Sequence, residues 1–252
     1  MRLIGIESSI IWESPSENRV AFEAQIRDAL NSTTGKVDVV VLPENFTSGF
    51  SMNVDSVDSW SNRHTLNWMK SLCSEFDIAI CGSVAFKLDD GTGRNRGLFV
   101  TPGGEVNIYD KKHLFTLGGE GENYVPGQDR TVVEFRGWKI LLQICYDLRF
   151  PVFSRNNPND AYDAIIYVAN WPKPRIHAWR TLLQARAIEN QCYVIGVNRC
   201  GEDPSGNIYT GDSLGVDPWG VIASEGPVVD LVCERGVLDE FRRKYPFLRD
   251  GE

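Results

Sequence analysis

Three polar side chains in this sequence each follow a short apolar run, and together they are the types needed for acyl transfer at a carbonyl. Glu44 follows Val39-Val40-Val41-Leu42-Pro43, Lys111 follows Val106-Asn107-Ile108-Tyr109-Asp110, and Cys145 follows Ile140-Leu141-Leu142-Gln143-Ile144. A thiol at a strand end, with a turn leaving it, is aimed out of a sheet beside free backbone N–H groups. A carboxylate near it can take the thiol proton and pass it to a leaving amine, while an ammonium steadies the oxyanion together with the N–H of Tyr146. Taken singly, each residue has a plainer use: a buried small hydrophobe for the cysteine, a solvated loop residue for the glutamate, surface charge for the lysine. The chemistry requires that the three strand ends meet at one rim.

The elements that must carry these residues are legible from apolar runs and turn residues. Residues 3–8 and 37–42 read as strands around a helix that starts at Ser14-Pro15-Ser16-Glu17 and places Val20, Phe22, Ile26 and Leu30 at a helical period. Residues 62–75 read as a second amphipathic helix, followed by a strand over 78–86. Hairpin texture comes next: strands over 94–100 and 105–109 around Pro102-Gly103-Gly104, then Thr131–Phe135 and Trp138–Ile144 around Arg136-Gly137. Ala164–Ala169 and Tyr193–Asn198 read as strands on either side of a helix over 179–191. Short strands over 213–216, 221–224 and 228–233 follow, and a helix over 237–244 closes the chain. With no repeat, low-complexity tract or linker, the expectation is a single α+β domain over residues 1–252.

The net charge of -8, with lysines and arginines scattered, argues against a nucleic-acid partner, which would require a basic face. No apolar run is long enough to span a bilayer, and Glu7 inside the first one makes residues 1–12 a poor export signal and a good first strand. The six cysteines, at 73, 81, 145, 192, 200 and 233, therefore read as reduced thiols of a cytoplasmic protein, and their spacings are not those of zinc ligands.

Leu42-Pro43-Glu44-Asn45-Phe46-Thr47-Ser48-Gly49-Phe50, Tyr109-Asp110-Lys111-Lys112-His113-Leu114-Phe115 and Cys145-Tyr146-Asp147-Leu148-Arg149-Phe150-Pro151 resemble, in order, the three motifs of the nitrilase superfamily of carbon-nitrogen hydrolases. Similar texture runs through Tyr167-Val168-Ala169-Asn170-Trp171-Pro172 and Arg186-Ala187-Ile188-Glu189-Asn190. The resemblance implies a four-layer α-β-β-α sandwich, no cofactor or metal, and a homodimer in which two sandwiches form a longer stack. It further implies Glu44 as general base and acid, Lys111 rather than Lys112 as the oxyanion lysine, and Cys145 as nucleophile. A second glutamate that positions substrate or water is implied upstream of Pro126-Gly127, with Glu120 fitting best and Glu122 as its rival.

Within the superfamily the sequence is most similar to omega-amidases of the bacterial branch. That similarity implies a small-molecule substrate, 2-oxoglutaramate or 2-oxosuccinamate, hydrolysed through a thioester to the dicarboxylic 2-oxo acid and ammonia; another amidase or an N-carbamoyl amino acid hydrolase is the alternative. A substrate carboxylate calls for a cation at the far end of the pocket. Arg149 is placed either for that task or to hold its loop through Asp147 or Glu44. Phe50, Tyr146 and Trp171 either wall the pocket or are core, and Asn170 is counted with the substrate-binding residues. His113 is expected to make a structural hydrogen bond, while a hydrolase using Cys145 with His113 or His177 is the competing chemistry.

Overall fold

The computed structural model describes residues 1–250. In chain order it runs β1 (Arg2–Ile6), α1 (Pro15–Ser32), β2 (Val39–Val41), β3 (Asp58–Ser59), α2 (His64–Phe76), β4 (Ala79–Lys87), β5 (Gly93–Val100), β6 (Val106–Asp110) and a one-turn α3 (Glu120–Asn123). There follow β7 (Thr131–Phe135), β8 (Trp138–Ile144), a one-turn α4 (Pro151–Ser154), β9 (Ala164–Ala169), α5 (Ile176–Asn190) and β10 (Tyr193–Asn198). The chain ends with β11 (Cys200–Glu202), β12 (Ile208–Thr210), β13 (Leu214–Val216), β14 (Ile222–Glu225), β15 (Val228–Val232) and α6 (Arg235–Lys244).

Apart from the two-stranded β11–β12 pair, the strands form two mixed sheets. One is ordered β15-β1-β2-β4-β5-β6 with β3 beside β4; the other is β14-β13-β10-β9-β8-β7. β1, β2 and β4 are parallel, and α1 and α2 supply the crossovers that parallel pairing demands. In the second sheet β8, β9 and β10 are parallel, with α5 as the crossover between β9 and β10.

Two-residue alternation decides what each face meets. Leu3, Val39, Val41, Ala79 and Cys81 join the apolar cluster shared with the second sheet, whereas Ile4, Val40 and Ile80 join the one filled by Phe22 and Ile26 of α1 and Met69 and Leu72 of α2. On the outer face of the second sheet lie Trp179, Leu183 and Ala187 of α5 and Leu238 of α6. The result is the α-β-β-α sandwich, held by side chains whose burial contributes about 1.5–3 kcal/mol each.

Two glycines set the layer spacing. A Cβ on Gly196 would stand 2.4 Å from Leu183 Cδ1, so α5 can lie on β10 only if that position is bare. A Cβ on Gly5 would stand 2.6 Å from Val197 Cγ2, the corresponding close approach between the two sheets.

The expected elements are present with ends shifted by a few residues, as at α5, expected over 179–191 and found over Ile176–Asn190, while α1 starts at the expected Pro15. Ser14 occupies the cap position of α1 but its side chain makes no capping hydrogen bond. Buried Asn18 ties that corner instead, bonding Ile11 through both its N–H and its carbonyl, and the carbonyl of Thr47. The β11–β12 hairpin was not expected: its strands are three residues each and only Tyr209 among them is buried, leaving no alternation to read.

Candidate active site

Glu44, Lys111 and Cys145 do converge, and they do so from two sheets rather than one. Glu44 lies just past β2, and Lys111 directly follows β6 of the same sheet. Cys145 directly follows β8 of the other sheet and opens the 3-10 turn Cys145–Arg149, so the site occupies the seam between the sheets. Cys145 has φ +45° and Asn45, beside Glu44, has φ +45°. The left-handed region costs a non-glycine residue about 1–2 kcal/mol, so the surrounding bonds must hold both turns in place.

Those bonds are dense. Lys111 Nζ lies 2.8 Å from Glu44 Oε1 and 2.8 Å from Glu120 Oε2, and all three side chains are sealed from solvent. Asn95 Nδ2 donates to Glu44 Oε1 at 2.8 Å and to Glu120 Oε1 at 3.0 Å. The N–H of Phe115 donates to Glu120 Oε2 at 2.6 Å. The N–H of Asn170 donates to Glu44 Oε2 at 2.8 Å, and Asn170 Nδ2 to the Glu44 carbonyl at 2.9 Å. Glu44 is thus held in one orientation by strands and loops far apart in the chain. Of the two rival glutamates, Glu120 is in this cluster while Glu122 is exposed on α3. Lys112 likewise points away, to Gln128.

Burial by itself would lower the Lys111 pKa, but Glu120 and Glu44 outweigh it and raise it, keeping the ammonium charged. The Cys145 pKa is pushed well up by burial and then by Glu44, against the opposing pull of Lys111. Burial and Glu44 thus favour the thiol over the thiolate, and attack calls for a base. Burial also raises the Glu120 pKa, with Lys111 pulling the other way.

A thiol beside a carboxylate, with an ammonium on the same carboxylate, brings together the types that can serve as nucleophile, proton carrier and oxyanion support. The family model for the carbon-nitrogen hydrolases matches residues 3–229 of this chain. The chain belongs to the carbon-nitrogen hydrolase family. It is a hydrolase of carbon–nitrogen bonds, and its relatives are closely matched over their length. The omega-amidase YafV of Escherichia coli (strain K12) is 43% identical over 257 residues, covering 100% of this chain and 97% of its own. The 2-oxoglutaramate amidase of Bacillus subtilis (strain 168) is 34% identical, covering 88% of this chain and 84% of its own. Among solved structures, XC1258 from Xanthomonas campestris, a CN-hydrolase superfamily protein with an arsenic adduct in the active site, superposes with a TM-score of 0.94 at 38% identity over 100% of this chain and 97% of that one.

In this carbon-nitrogen hydrolase the thiol opens on a pocket of about 460 Å³ lined by Phe50, Tyr146, Arg149, Asn170 and Trp171, every pocket residue expected from the sequence. Lys111 Nζ stands 5.4 Å from the centre of the Phe50 ring. Arg149 makes neither of the ion pairs considered for it. Its guanidinium lies 4.8 Å over the Trp171 ring, exposed at the pocket wall, while the Asp147 carboxylate is taken up by Tyr109, His113 and the Ile144 N–H. His113 is accordingly a structural partner of Asp147, and His177 is exposed.

Several site residues escaped the sequence reading. Asn95 sits between Arg94 and Arg96 in β5; its only signal is that it shares a buried face with Gly93 and Gly97. Arg175 lines the pocket with its guanidinium 5.2 Å over the Phe115 ring and its carbonyl held by Trp171 Nε1 at 2.8 Å. Asp203 and Tyr209 come from the unanticipated hairpin. Asp203 already accepts from Ser205, Asn207 and the Tyr209 hydroxyl; burial alone would raise its pKa, but these bonds lower it and keep it anionic. Among the described residues no group of three or more His, Cys, Asp or Glu side chains could hold a metal ion, and no helix is long and apolar enough to cross a membrane.

Proposed function

We propose that this chain is an omega-amidase that cleaves the terminal amide of 2-oxoglutaramate or 2-oxosuccinamate to the 2-oxo dicarboxylate and ammonia. Cys145 Sγ bonds to the amide carbon as Glu44 takes the thiol proton. Lys111 and the Tyr146 N–H stabilise the oxyanion. The C–N bond breaks as Glu44 returns the proton to the departing ammonia, leaving a thioester. Water, deprotonated by Glu44, then adds to the thioester carbon and releases the acid and the thiol. Glu120, bonded to Lys111 and Asn95, orders the ammonium and the attacking water. Arg149 takes the substrate carboxylate, with Phe50, Tyr146, Asn170 and Trp171 around the chain between.

The observation that carries this reading is the buried Glu44–Lys111–Glu120 ion set at a thiol whose pocket wall carries a guanidinium with no ion pair among the described residues. Ammonia release measured across 2-oxoglutaramate, glutamine, an N-carbamoyl amino acid and a simple nitrile tests it. The short omega-amide is expected to be preferred, and preference for the carbamoyl compound moves the assignment to the N-carbamoyl hydrolases.

The proposal extends to a homodimer in a reducing, cytoplasmic setting. Trp219 and Ile188, 53% and 55% exposed, lie on contiguous surface, the tryptophan ring 4.3 Å from Phe241 of α6 and Ile188 beneath Gly220. A second copy would cover this apolar face, as light scattering would report. All six cysteines are free, which supports a reducing compartment.

A further inference from the structure

Lys111 and Cys145 belong to different sheets, and one carboxylate joins their flanks. Asp147, two residues past Cys145, is fully buried and accepts from four donors. On Oδ2 these are the Tyr109 hydroxyl at 2.7 Å and the Ile144 N–H at 3.0 Å. On Oδ1 they are the His113 N–H at 3.0 Å and His113 Nδ1 at 2.8 Å. Tyr109 and His113 bracket Lys111 at two residues before and two after; Ile144 immediately precedes Cys145. The Tyr109 hydroxyl accepts the Lys112 N–H at 3.1 Å, which directs its own proton to Asp147. The His113 ring is stacked on Phe150 at 3.9 Å and 11°, so its orientation is set by the far end of the nucleophile turn.

We infer that Asp147 is a positioning residue that staples the lysine-bearing strand end to the nucleophile turn and so holds the left-handed Cys145 thiol in register with Lys111. It does not line the pocket, so it acts on the sulfur through the backbone and not on the substrate. The four donors divide between the two oxygens, so both oxygens must accept. Asparagine has the same shape but offers one acceptor and turns an NH₂ toward the donors on the other side, which breaks half of the staple with no change in volume.

The inference rests on Cys145 and Lys111 acting as the proposed pair, and the test separates the two. In the full-length chain, Cys145 alkylation by iodoacetamide is measured against a Cys145→Ser blank, alongside kcat and KM for whichever amide the wild-type protein turns over. Asp147→Asn is expected to lower kcat about a hundredfold, the scale of a small misplacement of reacting groups, and to slow alkylation in parallel, with KM within about threefold. Tyr109→Phe is expected to lower kcat about fivefold alone and to add almost nothing in the Asp147→Asn background, since both act through one carboxylate. Wild-type alkylation in Asp147→Asn, a loss confined to KM, or additive effects overturns the staple. If Asp147→Asn fails to fold, Tyr109→Phe decides alone, and wild-type kcat and alkylation in it overturn the inference. Alkylation consumes no substrate, so a protein inactive on every amide yet showing the slowed alkylation would sink the function and leave the staple standing.

Discussion

Lys111 Nζ lies 2.8 Å from Glu44 Oε1 with both side chains fully enclosed, and the same ammonium neutralises Glu120. Removing one member of such a set strands the others. Lys111→Met leaves two carboxylates facing each other in a dry site and is expected to cost about 3–5 kcal/mol of stability near neutral pH. The sign with pH follows from Glu120, whose folded pKa is already raised by burial and loses its opposing cation in the variant. A raised folded pKa gives stability that is complete below the ordinary carboxylate range and is lost as pH rises through the raised value. The deficit in urea midpoint should therefore shrink between about pH 7.5 and about pH 5. A deficit that grows on acidification would show that the cluster does not carry buried negative charge.

Glu44→Gln keeps the shape of the side chain and removes the proposed proton carrier. Turnover should fall on the order of a thousandfold, the scale of general acid–base catalysis. Retention of substantial activity would instead favour a histidine base, although His113 is committed to Asp147 and His177 is exposed. Cys145→Ala should abolish turnover with an unchanged thermal midpoint; amide hydrolysis by that variant would exclude the covalent route.

Arg149 has no carboxylate partner among the described residues and stacks on Trp171 at the pocket wall. Arg149→Ala should raise KM for a carboxylate-bearing omega-amide by about tenfold to a hundredfold, the value of a hydrogen bond to a charged group. A neutral amide of equal length should be little affected. Equal losses on both substrates would assign the arginine to the loop and not to recognition.

All six thiols have pKa values raised by burial, that of Cys73 to about 12. Each stays protonated in the fold while its unfolded counterpart ionises near 9.0. Their contribution is complete below that value and is lost as pH rises toward the folded pKa, at up to about 1.4 kcal/mol per pH unit per thiol. Urea midpoints should drop steeply from about pH 9 upward, and Cys73→Ala should reduce the slope; a flat profile would contradict the burial of these groups.

The sequence by itself determined the α+β elements, the three strand-end residues Glu44, Lys111 and Cys145, and the family to which they belong, because each rests on a pattern contained in a few neighbouring residues. Apolar alternation, turn residues and the motif around each polar group are local, and the sandwich follows once the alternation has two faces to bury. Only the tertiary structure set Glu120, already the better-fitting of the two glutamates, and not Glu122 against Lys111, left Arg149 paired with neither Asp147 nor Glu44, and brought Asn95 and Asp147 into the bonds around the site. Asn95 reaches Glu44 across 51 residues of sequence and Tyr109 reaches Asp147 across 38. A hydrogen bond is made or lost within an ångström, and the positions of these partners are fixed by how two sheets pack on each other, which no local pattern of residues encodes.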